Sequence, residues 1–534
     1  MALQCKRTYW IFQFFPLTRT LVVIALYYLL NNIIISFLLL ALLQFLYYKI
    51  IYYLKGYIPL LNIDKIFINY KEYEDYMGIC FIKVTKNKQK DLLNYFFENA
   101  FKSLPKLRSH LKFFLGEYWW EPISYEKAIN KFKVTYDSKT IMNTTEDMCM
   151  YSNKELKIHI DIHSKDNLFP FEAIVFNNSS SNNDIIAFKF HHILGDGMAF
   201  ISLFIAMGKN YDPSIFPITI KKPTIIMKML LYLKIIIFLP YYCLNSIIDN
   251  MFRVNCGPSS FKYHNHNKLI YSKPDDSDNS KTVEIKDIKI EDLKNIKNGI
   301  SDINSVRKPK DGTIFTSSKQ YNLQDYIKIN KFMGITFNDL IVSIILSAVN
   351  KFYKSKNYNK DNISIICPIN MRGLPTSVND VLISNNTIGF SIKLPLINNS
   401  LTDSYNIRKK LSESFRDIAY LKSLELMFKA VIFFLPEELS KRLFNKTIRD
   451  CDMVISNVPG PKKSVFYNDI ELVEYIPFLT TGMQSNFFTI ASYNNKFRFC
   501  FNVNEGVELN PWEVTKFIEN EFDFVLENFI KNNL

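Results

Sequence analysis

Two adjacent histidines close an apolar run in the stretch IIAFKFHHILGDGMAF, residues 185–200, of a chain that holds 7 histidines among 534 residues. In an extended segment alternate side chains share a face, so Ile186, Phe188, Phe190 and His192 point one way while Ala187, Lys189 and His191 point the other. An imidazole on the apolar face is partly desolvated, and desolvation favours the neutral ring, the only form able to take up a proton. His192 is therefore the candidate general base. His191, on the outward face, is expected to be structural or to help through its ring hydrogen bonds. Beyond the pair, Gly195 and Gly197 would let the backbone turn through conformations that other residues avoid. Asp196 is expected either to pair with an arginine or to cap a helix beginning at Gly197.

These groups need a scaffold that holds them still. FEAIVF (171–176) and IIAFKFHH (185–192) flank the polar loop NNSSSNND, a pattern that predicts a hairpin, and GMAFISLFIAMGK after it has helical spacing. In the second half ITFNDLIVSIILSAVNKFYKS (335–355) reads as a long helix. NISIICPI, GFSIKLPL, MVISN and KFRFCFNV read as strands, giving an α/β pattern with mixed sheets in two layers. A chain of this length usually divides, because single cores stop growing at roughly 250 to 300 residues. The expected divisions are a membrane anchor (1–56), a first half carrying the histidines (57–220), a membrane-associated segment (221–254), a crossover linker (255–315) and a second half (316–534). The 224–248 stretch is apolar but broken by Lys228, Lys234 and Pro240, as in a helix lying in a membrane interface; a buried core helix is the alternative. KPDDSDNSK and RKPKDG mark the linker as polar and turn-rich.

Composition limits the partners. The net charge of +14 suits nucleic acid, an anionic membrane surface or an anionic co-substrate. No zinc-finger spacing, RNP-like aromatic signature or long basic run supports the first. The 8 cysteines are scattered, without a C-x-x-C pair, and read as reduced thiols of a cytosol-facing body. From Leu21 to Tyr53 no charge appears before Lys49, and about 20 apolar residues suffice for a transmembrane segment. A single span near Ile33 to Tyr53 and a shallow hairpin turning at Asn31 and Asn32 both fit. Lys6, Arg7 and Arg19 before the run nearly balance Lys49 and Lys55 at its end, so charge does not fix orientation. LKIHIDIH would put His159, Asp161 and His163 on one strand face, but no third and fourth partner for zinc is identifiable, so no metal is expected. Trp119 and Trp120 with Phe113 and Phe114 read as a hydrophobic cluster.

HHILGDG (191–197) matches the HHxxxDG motif of the acyltransferase superfamily that includes chloramphenicol acetyltransferase, condensation domains and the wax ester synthase/diacylglycerol acyltransferase family. The last is favoured by four further stretches. ISNVPGP (455–461) looks like its SNVPGP signature, TFNDLIVSIILSAV (336–349) resembles its NDV-containing helix, and CPINMRG (367–373) resembles its VPVSMR strand end. ASYNNKFRFCFNVNEG (491–506) is similar to its terminal strand pair. The resemblance runs in family order from about residue 90 to the C-terminus; the apolar N-terminus and the 224–248 insert depart from compact bacterial members.

The resemblance implies two chloramphenicol acetyltransferase-like subdomains around a central tunnel, with the motif at its centre. Acyl-CoA would be the co-substrate, with no other cofactor, and a long-chain alcohol or diacylglycerol the acceptor, giving wax ester or triacylglycerol. His192 would act as base; Asp196 and Gly197 would belong to the motif's structure, with Arg372 as counter-ion to Asp196. Asn338 is a candidate donor to the developing oxyanion, with helix capping as its alternative role. Ser456 and Asn457, before a rigid Pro-Gly-Pro turn, suit a tunnel wall. Another lipid acceptor, a sterol or an amine, would use the same base, and a membrane-anchored lipid binder without turnover would keep the fold. An endoplasmic reticulum membrane is the expected location. The oligomeric state is not legible.

Overall fold

The computed structural model describes residues 24–25, 27–28, 32–68, 77–115, 117–158, 160, 162, 169–178, 183–213, 229–230, 233, 313–389, 391–415, 421, 423–426, 440, 451–480, 486–504 and 510–533. The first half contributes α1 (Ile33–Lys55), β1 (Ile58–Pro59), α2 (Asn62–Lys65), β2 (Met77–Thr85), α3 (Gln89–Phe96), β3 (Ser109–Phe114), β4 (Glu117–Pro122), α4 (Tyr125–Lys131), β5 (Val134–Ile141), α5 (Thr145–Glu155), β6 (Phe171–Asn178), β7 (Asn183–His191) and α6 (Gly197–Ala206). The second contributes β8 (Thr313–Ser317), β9 (Tyr321–Asn322), α7 (Leu323–Phe332), α8 (Phe337–Ser355), β10 (Asn362–Ile366), β11 (Ile369–Asn370), β12 (Thr387–Ile388), β13 (Ser391–Pro395), α9 (Ser404–Phe415), β14 (Met453–Val458), β15 (Val465–Tyr467), β16 (Ile470–Leu479), β17 (Asn486–Tyr493), β18 (Lys496–Asn504) and α10 (Pro511–Asn533).

Two mixed sheets carry the molecule. The second half builds one in the order β13-β10-β14-β17-β18-β8, with β9 also on β18, and β14 lies parallel to both β10 and β17. The other runs β15-β16-β2-β7-β6-β5, so its first two strands come from the second half. β16 pairs antiparallel with β2 over Leu472 to Leu479, and at the end of that ladder the Thr480 N–H donates to the Met77 carbonyl while the Met77 N–H donates to the Thr480 hydroxyl. The two halves of the sequence are thus not the two halves of the structure.

The expected hairpin of β6 and β7 forms with Phe171 opposite Phe190. Both faces of β7 are covered. Ile186, Phe188 and Phe190 enter the large core shared with α3 and α6, while Ile185 and Ala187 enter a second core with α5 and Phe315 of β8. Phe188, 3% exposed, lies 5.2 Å from Phe96 and 5.2 Å from Phe204 by ring centroids. Truncating such a side chain to alanine costs about 3–5 kcal/mol. Helix α6 carries Ser202 as its one polar side chain, and every residue from Met198 to Ala206 is buried, as a helix with no polar face must be. In a separate core formed by the second half, α8 is buried from Asp339 onward apart from Lys351 and its last two residues, and its first turn is closed by a reciprocal Thr336–Asp339 capping box.

At the N-terminus Asn32 opens α1, its Oδ1 accepting the N–H of Ile35 at 3.1 Å. Among the described residues no single helix is long and apolar enough to cross a membrane, so the transmembrane segment expected here is not shown. The later turns of α1 instead pack on the protein: Tyr47 and Tyr48 rest on Trp119 at 5.8 and 5.4 Å, and the Tyr47 hydroxyl donates to the Leu115 carbonyl at 3.0 Å. The other side of the helix, including Leu42, Leu43, Phe45, Leu46 and Tyr53, is exposed. Of the 221–254 segment only Met229, Leu230 and Leu233 are described, all exposed; Lys228, Lys234, Pro240 and the linker up to residue 312 lie outside the described residues.

Candidate active site

Strand β7 ends at His191, whose N–H donates to the Pro170 carbonyl at 2.8 Å and whose carbonyl accepts the N–H of Leu194 at 3.1 Å. That second bond turns the chain immediately after the strand. The face alternation of β7 therefore stops at His191, and His192 belongs to the turn. His191 is not outward: it is 1% exposed, because α5 and β8 cover the face that an isolated sheet would leave wet. Its Nδ1 accepts the N–H of Ile193 at 3.1 Å, so a lone pair sits on that nitrogen and the ring braces the turn.

The His192 ring stacks on Phe67, with centroids 4.3 Å apart and planes 23° apart. Its carbonyl accepts from the Asn385 side-chain amide at 2.8 Å. Burial pushes the imidazole down to about 4, outweighing the nearby Asp196 carboxylate, which acts in the opposite direction. At neutral pH the ring is uncharged and able to accept a proton.

Asp196 does both things the sequence allowed it. It caps α6, accepting the N–H of Ala199 at 3.0 Å, and it binds Arg372 through two parallel bonds of 2.7 and 2.8 Å. The N–H of Asn386 adds a further bond at 2.9 Å. The Arg372 guanidinium also donates to the Ser384 carbonyl at 2.7 Å and to Asn370 at 3.1 Å. With these partners it holds the loop. Neither Gly195 nor Gly197 has a positive φ, so conformational freedom is not what they supply. Gly195 supplies room: a Cβ there would lie 3.2 Å from the Ser384 backbone nitrogen, tighter than ordinary contact.

Around the same loop lies a second ionic cluster that the sequence did not disclose. Asp64, fully buried, accepts from Lys106 at 3.1 Å and from the Asn385 backbone and side-chain nitrogens, each at 2.9 Å. The Lys106 ammonium donates in addition to the Leu194 carbonyl at 3.2 Å and the Ile383 carbonyl at 2.6 Å. Burial raises the Asp64 carboxyl, partly opposed by Lys106, and lowers the Lys106 ammonium, partly opposed by Asp64. The one trace in the sequence is a carboxylate inside the apolar stretch IPLLNIDKIF (58–67).

The remaining expected residues stand nearby or apart. Ser456 and Asn457 are half-buried on β14, opposite Thr489 and Ile490 of β17. The strand's last residue, Val458, would touch a Cβ at Gly197 at 3.7 Å, so the end of β14 abuts the motif. Asn338 is the second residue of α8, and the capping role open to it is taken by Thr336 and Asp339. His159, Asp161 and His163 lie outside the described residues; Lys157 and Ile158 before them form a turn that closes α5, not a strand. Among the described residues no group of His, Cys, Asp and Glu could hold a metal ion. Trp119 and Trp120 are both buried, the first under α1 and the second in the large core with Lys106 5.1 Å above its ring.

Residues 400–525 match the family model of the WS/DGAT C-terminal domain. No curated protein matches the chain in sequence. Among solved structures, the wax ester synthase/diacylglycerol acyltransferase from Marinobacter aquaeolei VT8 is similar with a TM-score of 0.51 at 14% identity, over 88% of this chain and 99% of that one. The first condensation domain of the calcium-dependent antibiotic synthetase, in complex with a substrate analogue, is similar with a TM-score of 0.50 at 10% identity, over 85% of this chain and 91% of that one. At such identities the likeness is one of fold: a mixed α/β fold with mixed sheets. The resemblance carried by the motifs therefore has a direct sequence match in the second half and a fold match over most of the chain.

Proposed function

We propose that the protein is an O-acyltransferase that moves a long-chain acyl group from acyl-CoA to the hydroxyl of a fatty alcohol or diacylglycerol. The observation that carries this reading is His192: an imidazole kept neutral by burial, on a loop fixed by Asp196 and Arg372. The acceptor hydroxyl gives its proton to the ring as its oxygen adds to the thioester carbonyl, forming the C–O bond. The tetrahedral adduct collapses, the C–S bond breaks, and the imidazolium returns the proton to the departing thiolate. Atoms balance without an acyl-enzyme, and proton transfer of this kind contributes about 10² to 10⁴ in rate. Asn338 as donor to the oxyanion, Ser456 and Asn457 as wall residues, and a tunnel admitting the two substrates from opposite sides complete the reading.

A lipid acceptor calls for access to lipid. The exposed apolar side of α1 and the ribbon tip beside it, with Phe113 and Leu115 exposed, offer a surface that water disfavours and a bilayer covers. Lys49 and Lys55 on the helix suit anionic headgroups. Cys80, Cys149, Cys367 and Cys500 are free thiols, in keeping with a body facing a reducing cytosol, and an endoplasmic reticulum membrane is the proposed location. Membranes from cells expressing the chain, given labelled palmitoyl-CoA with hexadecanol or diacylglycerol, should yield wax ester or triacylglycerol. Failure with both, and with sterol and amine acceptors, leaves a lipid binder in place of the enzyme.

A further inference from the structure

Residues 57–68, which follow α1, are tied down at several points. The Tyr57 hydroxyl donates to Glu121 at 3.1 Å and accepts from Lys112 at 2.7 Å. Ile58 and Pro59 pair with Trp120 and Trp119 of β4, and the N–H of Leu60 donates to the Tyr118 carbonyl at 3.2 Å. The chain then delivers two side chains to the candidate site: Asp64 into the cluster with Lys106 and Asn385, and Phe67 onto the His192 ring.

The cluster touches the motif at two backbone atoms. Asn385 holds the carbonyl of His192 itself, and Lys106 holds that of Leu194, two residues on. Lys106 holds the Ile383 carbonyl with its third N–H, so one ammonium joins the motif loop to the irregular segment that also carries Ser384 and Asn386, the partners of Arg372 and Asp196. Asp64 sets the position of both donors, since it accepts from Lys106 and from two nitrogens of Asn385. A surface pair would not warrant this arrangement, but buried charges persist only where geometry satisfies them, and here each Lys106 donor has an acceptor.

We propose that residues 57–68 form a positioning strap for His192: Asp64, acting through Lys106 and Asn385, fixes the main chain at and after the ring, and Phe67 fixes the ring plane. The strap rests on the reading of His192 as the base of an acyl transfer. None of its side chains exchanges atoms with substrate; they hold the ring at the attitude the transfer needs, and a misplacement of about 1 Å at such a site costs on the order of 10²-fold in rate.

The test uses the full chain with labelled palmitoyl-CoA and hexadecanol. The double variant Asp64→Asn/Lys106→Met removes both charges together, leaving no uncompensated ion, and is expected to lower kcat at least tenfold while KM for palmitoyl-CoA stays within threefold. Phe67→Leu is expected to do the same, with Phe67→Tyr restoring kcat to within threefold of the parent by supplying a ring again. A folded double variant, or Phe67→Leu, with kcat within twofold of the parent overturns the strap; if the double variant does not fold, the Phe67 pair decides alone. Full activity in His192→Ala would instead overturn the transfer reading, and the strap with it, whereas a silent His192→Ala beside fully active strap variants sinks the strap only.

Discussion

Arg372 and Lys106 grip the same loop between β7 and α6 from two directions, and their chemistry differs in a way that the acceptors explain. Arg372 meets the two coplanar oxygens of Asp196, the geometry that a guanidinium fork matches and an ammonium does not. Lys106 meets three acceptors that belong to three separate chain segments, one carboxylate and two carbonyls, which suits three tetrahedral N–H bonds from a point charge. One cation fixes the end of the loop where α6 begins. The other fixes its middle. A loop held at both places presents His192 from a rigid frame, and the two pairs should fail differently when broken.

The ceiling for either failure is set by the ring they serve. His192→Ala is expected to lower kcat by about 10² to 10⁴ with the fold retained, read by ester formation and by the cooperativity of thermal unfolding. A pair variant that stays folded yet loses more activity than this would mean that the pair acts on substrate directly. Next in size, Arg372→Met leaves the Asp196 carboxylate buried without its counter-ion, and such breaks cost about 3–5 kcal/mol, seen as a lowered midpoint in urea. Arg372→Lys should recover only a part, since one ammonium cannot reproduce both parallel bonds.

Lys106→Met should cost less, about 1–3 kcal/mol, because the stranded Asp64 can neutralise itself. Burial already raises its carboxyl, and losing Lys106 raises it further. A carboxyl whose folded-state value lies above its unfolded one binds protons more readily when folded, so the deficit of this variant should shrink as pH falls toward the unfolded carboxylate range, measured as urea midpoints at neutral and mildly acidic pH. A deficit that grows on acidification would contradict the assignment of the two partners.

The smallest effect concerns the shape of the pH profile. A histidine at its ordinary value loses base function as pH falls through about 6.5. His192, pushed down to about 4, should keep it until well below that, so kcat/KM should carry no imidazole limb between pH 5 and 8. The same shift acts on stability with a definite sign: the unfolded chain takes up the proton between about 6.5 and 4 while the folded chain does not, so acidification through that window favours unfolding. Profiles restricted to pH values where fluorescence reports the native state separate the two effects.

The legible part of this site was the part written in local spacing. The histidine pair, Asp196 and the hairpin beneath them occupy a few tens of residues, and hydrophobic alternation with turn residues describes such a stretch well. Arg372 was found through a short motif 176 residues away, because an aspartate in a buried loop demands a cation and the resemblance offered one. Lys106 and Asn385 carried no such pointer. Their partner Asp64 lies 42 and 321 residues from them, and nothing in local pattern announces a contact that only the assembled fold creates. Only the exposure of His191 departs from the pattern, and for a related reason: period-two alternation says which side chains share a face, not whether that face meets water, and here α5 and β8 pack against it.

The insertion of β15 and β16 into the sheet that holds β2 and β7 has a consequence for how the chain is made. During synthesis β2 emerges early, but β16, the neighbour that closes its far edge, begins only about 385 residues after β2 ends, which at 5–20 residues per second means roughly 20 to 80 s on the ribosome. For that interval a nine-residue, nearly all-buried strand waits with its hydrogen-bonding edge bare. Fragments ending before Ile470 should therefore be prone to aggregate, and split expression of the two halves should succeed only when both are present in the same cell.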